Sequence, residues 1–307
     1  MGEPVVFVTI LGGLFPSFLM VILGGLVRKR LSENAWQGLD KLNFEILFPT
    51  LLFVAASGRP VALSQVASIA PLAWAILVAG LLFGYLARPF GPDRFLDFAG
   101  CWQTAWRFNT ALGFVAIGAL SGGDAAIFAV VVGMAVPMAN VFAVAGLSRD
   151  GKLGVLGTLR RVALNPFLIA SLGGVLVALS GVQIPAPVLA PLEMLAQAAI
   201  PVALISIGAT MNWGALARLD RFTGILNGTK LMILPALVCL VALALGAKGA
   251  LVQVLIVFAA LPTASAAHVL AAGFGADRKL VATLIAQTTL LSAATLPVWI
   301  LIAQTVF

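Results

Sequence analysis

Two short stretches of the chain concentrate polar side chains of a kind that binds ligands. The first is Gln103-Thr104-Ala105-Trp106-Arg107-Phe108-Asn109-Thr110, and the second is Leu261-Pro262-Thr263-Ala264-Ser265-Ala266-Ala267-His268. Arg107 presents a planar fork of donors that matches a carboxylate in bidentate fashion. Asn109, Thr110, Thr263 and Ser265 add hydrogen-bonding groups that serve either a ligand or the backbone of a neighbouring helix. Arg107 has structural uses too: a pair with an acid such as Asp97, or snorkelling towards an interface. His268 is the only histidine. Histidine titrates near neutral pH, so His268 suits a proton carrier, a pocket-lining ring, or a neutral ring bonded to a hydroxyl or carbonyl. Glu45 follows Lys41 at the spacing of an ordinary i,i+4 helix ion pair, with a coupling carboxylate as the alternative.

No paired-carboxylate, His/Cys metal, nucleophile-triad or phosphate-loop pattern accompanies these groups, so a membrane enzyme or an ATP-driven pump has little support, and neither a resident metal nor an organic cofactor is expected. The chemistry left is reversible binding, with H+ or Na+ as the coupling ions open to it. Cys101 and Cys239 lie in apolar runs and read as small packing residues. Tryptophans and phenylalanines elsewhere read as interfacial belts or lipid-facing packing.

The setting of the two stretches follows from composition. Of 307 residues, 62% are apolar and 9% charged, with mean hydropathy +1.12. A soluble domain carries about 25% charged residues, so this chain cannot cover a water-facing surface; it must lie in a bilayer. Its runs are apolar on every side, which selects helices over barrel strands. About 20 residues cross the hydrocarbon core, and ten crossings fit: 4–27, 38–57, 67–88, 95–120, 124–146, 165–182, 189–211, 225–245, 249–274 and 280–304. The first reads as a span rather than a signal peptide, since Glu3 precedes it and Arg28-Lys29-Arg30 follow.

Charge then orients the spans. Loops 1–2, 3–4, 5–6, 7–8 and 9–10 hold 15 basic residues, Lys230 among them in loop 7–8, whereas the opposite loops hold Arg59 and Lys248. The positive-inside rule places the basic loops in the cytoplasm and both termini outside an inner, cell-limiting membrane. The net charge of +7 is thereby topological and gives nucleic acid no role. Arg107 alone belongs to no loop. The segment 148–164 reads as a cytoplasmic linker between a first five-helix repeat, 1–147, and a second, 165–307.

Internal matches support that division. Pro16 aligns with Pro166, which puts Gly24 on Gly174; Pro49 aligns with Pro201, with Glu45 opposite Gln197; Pro137 answers Pro297. An odd number of spans per repeat inverts the second half, the arrangement of secondary transporters that bind substrate at mid-membrane between broken helices. Span 4 then pairs with span 9, the two that hold the polar stretches. Pro262 removes an N–H and crowds the preceding turn, so span 9 should break there; Pro49 and Pro201 are further candidate breaks. The N-terminal end of a half-helix favours an anion.

With ten spans, Arg107-Phe108-Asn109-Thr110 and Leu261-Pro262-Thr263-Ala264-Ser265-Ala266-Ala267-His268-Val269-Leu270-Ala271 resemble the motifs of the auxin efflux carrier family, which includes plant auxin carriers and bacterial malate and malonate permeases. The resemblance implies a 5+5 inverted fold similar to bile-acid sodium symporters, with spans 4 and 9 broken and crossing. It also implies a scaffold of spans 1, 2, 6 and 7, a transport domain of spans 3–5 and 8–10, elevator-type motion and a homodimer. Relatives often carry Asn where this chain has Ala266, and an aromatic or aliphatic residue where it has His268, so His268 is the candidate for a second donor. The expected function is a secondary active or facilitative carrier of a small organic anion, with Arg107, Asn109, Thr110, Pro262, Thr263, Ser265 and His268 at the substrate. A non-transporting sensor on a carrier fold is the rival, disfavoured by the lack of an output domain. A channel would need a continuous polar stripe.

Overall fold

The computed structural model describes residues 15–16, 19–58, 63–120, 125–148, 164, 166–210, 213–264 and 266–307. All regular structure among them is helical, because an apolar chain in lipid satisfies its backbone groups within its own segment. The helices are α1 (19–27), α2 (Glu33–Leu42), α3 (Phe48–Ser57), α4 (Leu63–Tyr85), α5 (Phe95–Trp102), α6 (Thr110–Gly118) and α7 (Ala125–Leu147). After the segment 149–163, which lies outside the described residues, come α8 (Pro166–Ser180), α9 (Ala186–Thr210), α10 (Arg221–Gly228), α11 (Leu234–Ala244), α12 (Ala250–Ala260), α13 (Ala266–Phe274) and α14 (Arg278–Val306). Among the described residues, five continuous apolar helical stretches are long enough to cross a bilayer: Ala67–Tyr85, Ala125–Leu147, Ala186–Thr210, Arg221–Ala244 and Lys279–Val306.

Prolines act on these helices in three ways. Before Pro49, α2 passes into α3 through a π-helical turn, Asn43–Leu47, and before Pro235, α10 passes into α11 through another, Thr229–Ile233. The wider turn accommodates the ring without ending the helix. Leu231, whose carbonyl Pro235 leaves without its usual donor, accepts instead from the Trp299 indole at 2.8 Å. Pro201 sits inside the unbroken α9. Pro49 and Pro201 are therefore not helix breaks. Pro262 alone of the three proposed lies in a non-helical segment, 261–264.

Helices α8 and α9 each pack on α3, and α1 lies against α9 through the Val21, Leu112 and Leu204 cluster. Helices α10 to α14 form a second group with α4 and α5, and α7 touches both groups. All six tryptophans donate their indole N–H to a backbone carbonyl: Trp36 to Arg28, Trp74 to Met134, Trp102 to Leu81, Trp106 to Ala139, Trp213 to Gly208 and Trp299 to Leu231. Trp36, Trp102, Trp106 and Trp299 are buried, so they are not a membrane-interface belt.

Two close helix approaches mirror each other. A Cβ on Gly24 would overlap the carbonyl of Ile205 on α9, and a Cβ on Gly174 of α8 would press on the carbonyl of Phe53 on α3. Gly24 and Gly174 are the pair that the Pro16/Pro166 alignment matches, and Phe53 and Ile205 fall in the Pro49/Pro201 register. Gly208 likewise leaves room only for the Val21 carbonyl. Gly208→Ala should lower the thermal midpoint of the purified protein by about 3–10 °C through overpacking. Gly224→Ala, with nothing within 4 Å, should leave it unchanged or slightly raised. Differential scanning fluorimetry separates the two.

Candidate functional site

Two interrupted helices meet at one junction. The first interruption begins where α5 tightens into a 3-10 turn, Gln103–Ala105; residues 107–109 then leave the helix, and α6 starts afresh. Asn109 adopts an extended conformation (φ −88°, ψ 104°), and its Oδ1 accepts from the Leu112 N–H at 3.2 Å as the N-cap of α6. The second interruption follows Ala260. Leu261 turns extended (φ −62°, ψ 141°), Pro262 has no N–H to offer the Phe258 carbonyl, and the Thr263 N–H goes to Thr288 Oγ1 at 3.3 Å.

Each interruption completes the other. The Asn109 N–H donates to the Pro262 carbonyl at 2.7 Å, and the Thr263 hydroxyl donates to the Thr104 carbonyl at 2.6 Å. Gln103 Nε2 spans the junction as well, donating to the carbonyls of Gly100 and Ala267, both at 3.1 Å. Phe108 packs edge-on against Phe258 with ring centroids 4.6 Å apart. Gln103, Thr104 and Thr263 are sealed from solvent, whereas Arg107, Asn109 and Thr110 keep a sliver of exposure, 6–9%.

Arg107 is the chemically exposed member of this set. Its Nη2 donates to Asn140 Oδ1 on α7 at 2.7 Å, while its buried Nε has no partner. No carboxylate of the described residues pairs with it. Asp97 accepts from the Asp277 N–H at 2.8 Å and faces Arg94 at 3.7 Å, so it is not the counter-ion of Arg107. The guanidinium is thus held by a neutral amide, with donor capacity left over, next to the N-terminal end of α6. Such a fork is complementary to a carboxylate.

The other sequence candidates divide. Pro262 and Thr263 join Arg107, Asn109 and Thr110 at the junction, but their polar groups knit the two interruptions together. His268 lies half-buried on α13, and the residue before it, Ala267, has its carbonyl held by Gln103. Ser265 falls outside the described residues. Glu45 sits on an exposed π turn, 3.9 Å from Lys41, and the junction network does not include it. A cleft of about 360 Å³ between α3 and α9, lined by Leu51, Val54, Glu193, Ala196, Gln197 and Ile200, involves none of the junction residues.

Lys230 was missed. Assigned to loop 7–8 by the charge count, it lies in the π turn between α10 and α11 with 2% exposure. Its Nζ donates to the Ala259 carbonyl at 3.0 Å, one turn before Pro262. The signal was available: Lys230 falls inside the span read at 225–245, five residues before a proline. Asn140 was also missed, because a single amide in an apolar helix has no spacing to betray it.

A family profile described as "Membrane transport protein" matches residues 155–300. A Rhizobium meliloti (strain 1021) protein named "Putative malonate transporter" is 30% identical over 302 residues, covering 93% of each chain. A Methanothermobacter thermautotrophicus protein named "Uncharacterized transporter" is 26% identical over 293 residues, covering 92% of this chain and 95% of its own.

The Thr263 hydroxyl gives the junction a direct check. Thr263→Val leaves the buried Thr104 carbonyl unpaired and should cost about 1–3 kcal/mol of stability, whereas Thr263→Ser keeps the bond and should cost far less. Denaturant unfolding of the two purified variants measures the difference, and equal stabilities would remove the hydroxyl from the network.

Proposed function

The chain belongs to the membrane transport protein family, and from that premise we propose that it carries a small organic anion across the membrane by alternating access. It is a multi-pass membrane protein whose substrate is a small molecule. The observation that carries the anion reading is Arg107: a buried guanidinium with an unpartnered Nε and no carboxylate among the described residues to neutralise it. A buried charge without a counter-charge is costly, and an incoming carboxylate removes that cost. The N-terminal end of α6 adds a favourable field, and the relative named for malonate supports a dicarboxylate.

The wider architecture belongs to the same proposal. Each interrupted helix counts as one of ten spans, in two inverted sets of five on either side of 148–164. The mirrored contacts of Gly24 with Ile205 and of Gly174 with Phe53 support that repeat. The packing of α1, α3, α8 and α9 supports a scaffold of spans 1, 2, 6 and 7, against which spans 3–5 and 8–10 slide as a unit carrying the junction. Two copies associate through the scaffold, with both termini outside. His268 and Ser265 complete the pocket, and neither a metal nor an organic cofactor takes part.

Uptake into proteoliposomes tests the reading, with a panel of mono- and dicarboxylates and indole-3-acetate under imposed pH, sodium and voltage gradients. A carboxylate should accumulate, and Arg107→Ala should weaken its binding by about 10- to 100-fold while the protein stays folded. Uptake of neutral or cationic solutes alone would overturn the anion assignment, unchanged affinity in Arg107→Ala would return Arg107 to structure, and binding without flux would make the protein a sensor.

A further inference from the structure

Interrupting a helix creates a carbonyl end as well as an amide end. At the carbonyl end of α12, Ala259 would ordinarily accept from the Thr263 N–H, which is turned to Thr288 instead. The last carbonyls of α12 gather the negative pole of that half-helix in a fully buried place, since Val257, Phe258, Ala259 and Ala260 are all at 0–1% exposure. In carriers built on interrupted helices, such carbonyl ends are where a coupling cation sits. Here the place is taken by the Lys230 Nζ, 3.0 Å from the Ala259 oxygen. The π turn that presents Lys230 packs against α4, α12, α14 and the Gln103–Ala105 turn, and the neighbouring Thr229 hydroxyl is buried without a partner. No carboxylate of the described residues pairs with Lys230, so its charge answers the helix end and nothing else in view.

We propose that Lys230 is a tethered, resident cation at the interrupted helix, filling the position of an inorganic coupling ion so that the protein needs no sodium to assemble its site. This extends the carrier reading, since the need for a cation at α12 arises from that fold, but its test requires no substrate. Lys230 is a positioning residue: it holds the end of α12, and through it the Pro262 carbonyl that receives Asn109.

The test is the thermal midpoint of the purified full chain in sodium chloride and in choline chloride at equal ionic strength, with and without methylammonium. The wild-type midpoint should be the same in sodium and choline and unmoved by methylammonium. Lys230→Ala should lower it by about 5 °C, and methylammonium, a free ammonium small enough for the vacated space, should recover most of the loss. Lys230→Met fills that space with an apolar chain and should lower the midpoint without recovery. Stabilisation of the wild type by sodium over choline would overturn the proposal. So would a Lys230→Ala variant of undiminished midpoint, or one whose loss neither methylammonium nor sodium repairs. If that variant does not fold, the wild-type sodium comparison still decides. Stabilisation of the wild type by malonate, read in a separate arm, reports on the Arg107 site alone, so the two readings fail separately.

Discussion

A backbone N–H or C=O in hydrocarbon must find a partner within the protein, because no water is there to supply one. Most of this chain meets that demand by staying helical. At residues 107–109 and 261–264 it does not, and every group so released has to be matched from elsewhere. The matching is reciprocal: Pro262 receives Asn109, Thr104 receives Thr263, and Gln103 bridges to Ala267. Thr288 from α14 and Lys230 from the α10–α11 turn collect what the two interruptions cannot give each other. Two helices far apart in sequence are thus bound into one unit, and α4, α7 and α14 are arranged around it.

The charges obey a different logic at the surface and inside. Lys41 with Glu45 and Arg94 with Asp97 are opposite pairs on exposed or partly exposed helix ends, where such pairs contribute little. Arg107 and Lys230 are buried, and each is met by an uncharged oxygen, the Asn140 amide in one case and the Ala259 carbonyl in the other. The two roles are nevertheless distinct. Lys230 lies at the negative end of a half-helix, which suits it as it stands, whereas Arg107 lies near a positive end and stays electrostatically incomplete.

Composition and periodicity made the helical membrane class legible, because a chain with so few charges has no other solvent to live in. The interruption at Pro262 was legible from the missing N–H, whereas the one near Arg107 followed only from the family resemblance, since no proline or glycine marks it. Pro49 and Pro201 misled, since a proline ends a helix only where the lost bond cannot be absorbed by a π turn or a slight bend. Lys230 misled in the opposite direction: a lysine near a predicted loop is taken for a loop residue, and nothing in one sequence announces a π turn that carries it inward. Tryptophans read as interfacial or lipid-facing by their type, yet Trp36, Trp102, Trp106 and Trp299 are buried, and only Trp74 and Trp213 stay exposed. Residue types reveal where polar groups are, but not which of them will be consumed by one another.

The span of chain between the two interruptions has a consequence for biosynthesis. Thr104 and Thr263 are separated by 159 positions, and at roughly 5–20 residues per second the second reaches the membrane about 10–30 s after the first. During that interval the groups that meet the Thr104 carbonyl and the Asn109 N–H in the finished fold have not yet been made. The half-made protein is therefore marked as unfinished by its own backbone, and insertion of α12 and α13 is the event that closes it.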